Sequence, residues 1–192
     1  MVRHGQVNGH DLFRVYGHTD VAMTEVGMIQ MERLAERLRL ADIRAIYSSD
    51  LERSIRGARI ISQYHDVSIQ KIPELKELFF GAWEGLTLND IRHRFPDELE
   101  RREADLLHFM PPGDGESIAE FSRRVLSTLK RILREQKGND ILVVAHGVVN
   151  RIILCDALGL ELNNLFRLQQ DYGCLNIIDY FADSLVVKLI NG

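Results

Sequence analysis

Ile141-Leu142-Val143-Val144-Ala145-His146-Gly147 is the stretch on which the reading of this chain turns. An unbroken apolar run of this length, bounded by polar residues, reads as a strand buried on both faces, as in the middle of a parallel sheet. Ala45-Ile46-Tyr47 reads the same way, and segments 174–181 and 185–190 read as a C-terminal strand pair around Ala182-Asp183-Ser184. Helical patterns lie between. From Thr24 to about Arg39, Gly27, Met31, Leu34, Ala35 and Leu38 share one face, with Thr24 as N-cap. From Ser117 to about Gln136, Ile118, Phe121, Val125, Leu129 and Ile132 recur at helical spacing, opened by a Ser117/Glu120 capping box. A further helix is expected over about 148–158, stopping near Gly159. Helices alternating with buried strands predict a three-layer α/β/α fold around a mostly parallel sheet, with ligands bound beyond the carboxyl ends of its strands.

The composition is that of an ordinary globular chain: 192 residues, 45% hydrophobic and 27% charged. With 24 Lys and Arg against 28 Asp and Glu, the net charge of −4 argues against general nucleic-acid affinity. Cys155 and Cys174 lie in apolar surroundings without metal-type spacing and read as buried thiols of a reducing compartment. No apolar run is long enough to span a bilayer, and Met1 to Gly5 lack the apolar core of a signal peptide. The expectation is therefore a cytoplasmic chain with no membrane partner, one domain over 1–192, and a homodimer left open.

Two segments leave a strand with the same word, Val2-Arg3-His4-Gly5 and Val144-Ala145-His146-Gly147. Each glycine is expected to let the backbone turn and a ligand approach. A lone histidine at a strand end is more often structural than chemical, and most of His10, His18, His65, His93 and His108 are read that way. Company changes the reading of His4 and His146. Arg3 precedes His4, Arg53 follows the strand ending in Ser48-Ser49-Asp50, and Glu77 precedes Phe79-Phe80-Gly81-Ala82-Trp83-Glu84-Gly85. All should meet on one rim of the sheet. Guanidinium forks suit phosphate oxygens, a neutral imidazole nitrogen is a competent nucleophile toward phosphorus, and a protonated carboxyl can serve the leaving group. Two arginines would repel a metal ion from His4 and His146, so no metal or other cofactor is expected.

These motifs together resemble the histidine phosphatase superfamily, in the branch shared with cofactor-dependent phosphoglycerate mutases. The likeness spans nearly the whole chain: Arg3-His4-Gly5; Arg14, Gly17 and Asp20; Met23 to Gly27; Ser49 to Arg53; Glu77 to Gly85; Gly115-Glu116-Ser117 before Phe121 and Arg124-Val125; and Ala145-His146-Gly147. The resemblance implies a six-stranded mixed sheet with one antiparallel strand. It implies phosphorylation of His4, proton donation by Glu77, and a phosphate pocket completed by Arg3, Arg53 and His146. Substrate contacts are expected from Arg3, His10, Tyr16, Gly17, Arg53, Gly147 and Val148. The activity implied is a phosphatase acting on a small monoester, with the stretch Phe80 to Thr87 similar to alpha-ribazole phosphatases and broad-specificity phosphatases. A phosphoglycerate mutase is the alternative, and a non-catalytic phosphate-binding module the third reading.

Three features depart from the family pattern. Val7 replaces a common Thr or Ser and His10 a usual Asn, both in the loop expected to close over phosphate. Only Met1 and Val2 precede Arg3, so either the first strand is very short or the true start lies upstream. Segment 92–114, with Pro96, Pro111 and Pro112, reads as a mobile cover over the site, its charged run 98–103 a solvated helix face. Trp83 reads as core packing rather than a ligand platform, and Arg56 and Arg59 as surface residues beside Arg53.

Overall fold

The computed structural model describes residues 1–12 and 14–192. Strands β1 (Val2–Arg3), β2 (Ile43–Ser48), β3 (Ile69–Lys71) and β4 (Asp140–Ala145) form one sheet in the order β1-β4-β2-β3, every neighbouring pair parallel. The helices are α1 (Glu25–Leu38), α2 (Glu52–Ser62), α3 (Leu88–Arg94), α4 (Pro96–Ala104), α5 (Ile118–Glu135) and α6 (Gly147–Leu158). Strands β5 (Ile177–Tyr180) and β6 (Leu185–Leu189) make a separate antiparallel pair.

Alternation along the central strands sorts the two layers. Ala45, Tyr47, Val143 and Ala145 meet Phe121, Val125, Leu129 and Ile132 of α5 and Val149, Ile152 and Ile153 of α6. Ile46, Leu142 and Val144 point the other way, onto Met31, Leu34 and Ala35 of α1 and Ala58 and Ile61 of α2. β4 is thus covered on both faces, which is why Ile141 to Ala145 are apolar without a break. Phe121 is fully buried in the first layer; its truncation to Ala would cost about 3–5 kcal/mol. A third, smaller cluster joins Trp83, Ile91 and Phe109, with the Trp83 and Phe109 rings stacked at 5.4 Å. Trp83 is core, as expected, and segment 92–114 supplies α4 and the ring that packs on it.

Helix starts follow the expected chemistry. Thr24 Oγ1 accepts from Gly27 N at 3.0 Å, and Ser117 and Glu120 form the reciprocal box that opens α5. Gly159 closes α6 in the left-handed region, at φ 64°. A second capping box, Thr87 with Asp90, opens α3.

The six-stranded mixed sheet needs correction. Four strands pair in parallel, and the antiparallel contact shrinks to a single bridge between Val2 and Leu175. Only Val2 and Arg3 are in β1, so little edge is available for a ladder. Arg3 N donates to Cys174 O at 3.2 Å and Asn176 N to Met1 O at 2.8 Å, after which the chain departs into β5. Among the described residues no helix is long and apolar enough to cross a membrane.

Candidate active site

The carboxyl ends of β1 and β4 lie side by side, with Arg3 paired to Ala145. His4 N continues the register by donating to Ala145 O at 3.0 Å. The two histidines therefore leave neighbouring strands together, and their rings meet edge to face with centroids 5.1 Å apart. Both are buried. Nδ1 of His4 lies 2.8 Å from the carbonyl oxygen of Gly5. A carbonyl can only accept, so Nδ1 carries the hydrogen and Nε2 keeps a free lone pair.

Burial, then the charges of Arg53 and Arg3, hold His4 well below the usual histidine range, with the bond to Gly5 opposing them. His146 is held low by burial first, then by Arg53, His4 and Arg3. Both rings are neutral near pH 7, and neither nitrogen of His146 has a hydrogen-bond partner among the described residues.

Arg53 stands in the first turn of α2, 2% exposed, whereas Arg56 and Arg59 are exposed as expected. Its guanidinium donates to Gly17 O at 2.6 Å and Thr19 O at 2.7 Å. The N–H groups of the same loop go elsewhere: Gly17, His18 and Thr19 all donate to the carboxylate of Glu84, joined by Thr19 Oγ1 at 2.6 Å and Phe80 N at 3.2 Å. Burial works against ionisation of Glu84, but these donors together hold its carboxyl below the usual range. The 17–19 loop is thus clasped between an arginine and a glutamate.

Glu77 is buried. Its Oε1 accepts from Leu78 N and its Oε2 from Val148 N, each at 3.0 Å. The His18 ring lies 3.0 Å from Glu77 O through Nε2 and meets the Phe79 ring at a tilt, with centroids 4.9 Å apart. Arg124 grips Glu116 at both carboxylate oxygens and donates to Glu74 O and Lys76 O, anchoring the segment that precedes Glu77.

The five expected site residues, Arg3, His4, Arg53, Glu77 and His146, are gathered at one rim. Gly147 and Val148 lie within it at the start of α6. The side chain that Gly147 lacks would stand 3.4 Å from Arg3 Nε and 3.1 Å from Arg151, so the space there is taken by guanidinium groups. A Cβ on Gly5 would fall on the main-chain carbonyl of Gly27, so that glycine serves the close approach of α1 rather than of a ligand. Gly17 meets Arg53 through its carbonyl. Tyr16 is half-buried, its hydroxyl against the Gly9 turn, and His10 is exposed on the single turn 10–12. The Val7 side chain turns inward: it is 2% exposed, bridged to Met23, in the core on the α1 side.

Sequence reading passed over Tyr172. Arg3 Cζ lies 3.8 Å over its ring, and the same ring is 5.6 Å from that of His4. Nothing in Gln169 to Gly173 marks it, because an aromatic in a polar loop has no periodic signature.

A buried neutral imidazole with a free lone pair, two guanidinium groups, a second imidazole and a fixed carboxyl make a set chemically suited to phosphoryl transfer. The family model of the histidine phosphatase superfamily, branch 1, matches residues 1–192, and the chain belongs to that superfamily. It is 28% identical over 191 residues to the adenosylcobalamin/alpha-ribazole phosphatase of Salmonella typhimurium, covering 100% of this chain and 94% of that protein. It is 27% identical over 176 residues to phosphoserine phosphatase 1 of Hydrogenobacter thermophilus, covering 92% and 81% respectively. The crystal structure of the alpha-ribazole phosphatase from Shigella flexneri superimposes with a TM-score of 0.92 at 26% identity, covering 100% of this chain and 94% of that one. With those relatives, the chain is a phosphoric monoester hydrolase.

Proposed function

We propose that this chain hydrolyses a small phosphate monoester in two steps through a phosphohistidine on His4. The observation that carries this reading is the His4 tautomer: Nδ1–H is committed to Gly5 O at 2.8 Å, leaving the Nε2 lone pair for attack. In the first step Nε2 bonds to phosphorus in line while the ester oxygen leaves, taking a proton from Glu77. In the second, water attacks the phosphohistidine and gives its proton to the now ionised Glu77. The P–N bond breaks, and His4 and protonated Glu77 are restored. Arg3, Arg53 and His146 bind the equatorial oxygens. Arg3 Nε and the one N–H of the neutral His146 ring are buried without a partner, as donors awaiting an oxyanion would be.

The same reading makes 92–114 the cover that shapes specificity. Arg102, Leu106, Phe109 and Pro111 line a small cavity with Phe80 and with Leu78, the residue that follows Glu77 in the chain. Alpha-ribazole 5′-phosphate is the leading candidate substrate, supported by the relatives from Salmonella and Shigella. The test is phosphate release in chelator, without bisphosphoglycerate, from alpha-ribazole phosphate, phosphoserine, 3-phosphoglycerate and p-nitrophenyl phosphate. Turnover is expected, highest on alpha-ribazole phosphate. Silence on every ester would reject the phosphatase reading in favour of a mutase or a binding module.

A further inference from the structure

Directly behind Arg3 lies a buried cluster of amides that the mechanism does not use. Gln170 is 1% exposed, and Asn150 and Asn176 are 0% exposed. Asn150 comes from α6, Gln170 from the loop after the short turn 162–167, and Asn176 from the residue before β5. Gln170 and Asn176 pair reciprocally, Nε2 to Oδ1 and Nδ2 to Oε1, both at 2.8 Å. Asn150 Nδ2 donates to Gln170 Oε1 at 3.1 Å, and Gln170 Nε2 donates to Gln169 O at 2.8 Å. Both hydrogens and both lone pairs of the Gln170 amide are thereby used. Asn150 Oδ1 is the one amide atom of the three without a partner among the described residues; the fully bonded Gln170 amide specifies one arrangement of the chain around it.

What it specifies is the end of β1. Gln170 O accepts from Arg3 Nη1 at 2.6 Å, and Tyr172 lies under the same guanidinium. Gly173 N donates to His4 O at 3.1 Å, and Cys174 O accepts from Arg3 N at 3.2 Å. The 170–174 segment thus bonds the main chain of Arg3 and His4 as well as the Arg3 guanidinium.

We propose that Gln170, locked by Asn150 and Asn176, is a positioning residue that holds the Arg3 guanidinium in its phosphate-binding orientation. This rests on the reading of Arg3 as a phosphate ligand. The experiment is the dissociation constant of inorganic phosphate, by calorimetry, for the wild-type chain, Gln170→Leu, Arg3→Ala and the double variant. Gln170→Leu should weaken phosphate about tenfold, the scale of one misaligned charge-assisted bond, and should add nothing in the Arg3→Ala background. A merely structural role would lower the unfolding midpoint and the active fraction, leaving the phosphate constant of the folded chain unchanged. That result, or full additivity in the double variant, overturns the proposal. Should Gln170→Leu not fold, Asn150→Ala, which keeps the Gln170–Asn176 pair, carries the same cycle with a smaller loss of about threefold. If Arg3→Ala itself binds phosphate normally, the phosphate-pocket reading fails and the proposal falls with it. If Arg3→Ala binds weakly and the amide variants bind normally, the proposal alone is rejected.

Discussion

The main-chain N–H of Val148 donates to Oε2 of Glu77 across 3.0 Å, joining residues 71 positions apart in the chain. With Leu78 N on Oε1, the carboxyl is pinned at both oxygens between its own segment and the first turn of α6. His146 immediately precedes that turn. One hydrogen bond therefore sets the proton donor of the proposed mechanism against the residue beside its nucleophile.

Glu77→Gln keeps the shape of that side chain but cannot donate and recover an acidic proton. Turnover of alkyl monoesters should fall about 10²–10⁴-fold, while p-nitrophenyl phosphate, whose leaving group needs little protonation, should slow far less. Steady-state rates on both classes check this; equal slowing would remove Glu77 from the role.

His4→Ala deletes the nucleophile. Turnover should drop on the order of 10⁴-fold or more, with the fold intact by circular dichroism. Protein quenched in alkaline detergent, in which a phosphohistidine survives, should carry ³²P label from substrate in the wild type and none in the variant. A labelled variant would place the phosphoryl group on another residue.

His4 and His146 link stability to pH. An unfolded histidine takes up its proton near pH 6.5, about its ordinary value, whereas the folded chain holds both rings neutral to well below that. The unfolded state then binds more protons, so stability is full above about pH 6.5 and is lost as pH falls below it. Each histidine removes up to about 1.4 kcal/mol per pH unit across that interval. Urea midpoints at pH 7.5, 6 and 5 should decline in order; a flat series would contradict the burial of these rings.

Glu84→Gln replaces an acceptor of main-chain donors with a group half of which is itself a donor. The variant should lose about 1–2 kcal/mol in denaturant unfolding and bind inorganic phosphate several-fold more weakly, because the 17–19 loop also receives Arg53. Unchanged phosphate affinity would show that Arg53 keeps its place without the clasp.

What was legible beforehand follows from locality. The burial of β4 on both faces, the caps at Thr24 and Ser117, the stop at Gly159 and the apolar stripes of α1 and α5 depend on residues within a turn or a strand of one another. The alignment of His4 with His146 was also readable, since each ends an apolar strand. The clasp on Arg53, the inward turn of Val7 and the amide cluster behind Arg3 were not. Glu84 meets Gly17 and Gln170 meets Arg3 across long stretches of chain, and neither pairing has a periodicity that would announce it.

The amino-acid sequence by itself determined the layers, the approximate limits of α1, α5 and α6 and the group of residues proposed to handle phosphate, because propensity, capping and hydrophobic period act over short range. Only the tertiary structure decided how short β1 is, that four strands rather than six share the sheet, and that Tyr172 and Gln170 hold Arg3. Those outcomes depend on which unpaired backbone and buried polar groups find partners once the layers have closed.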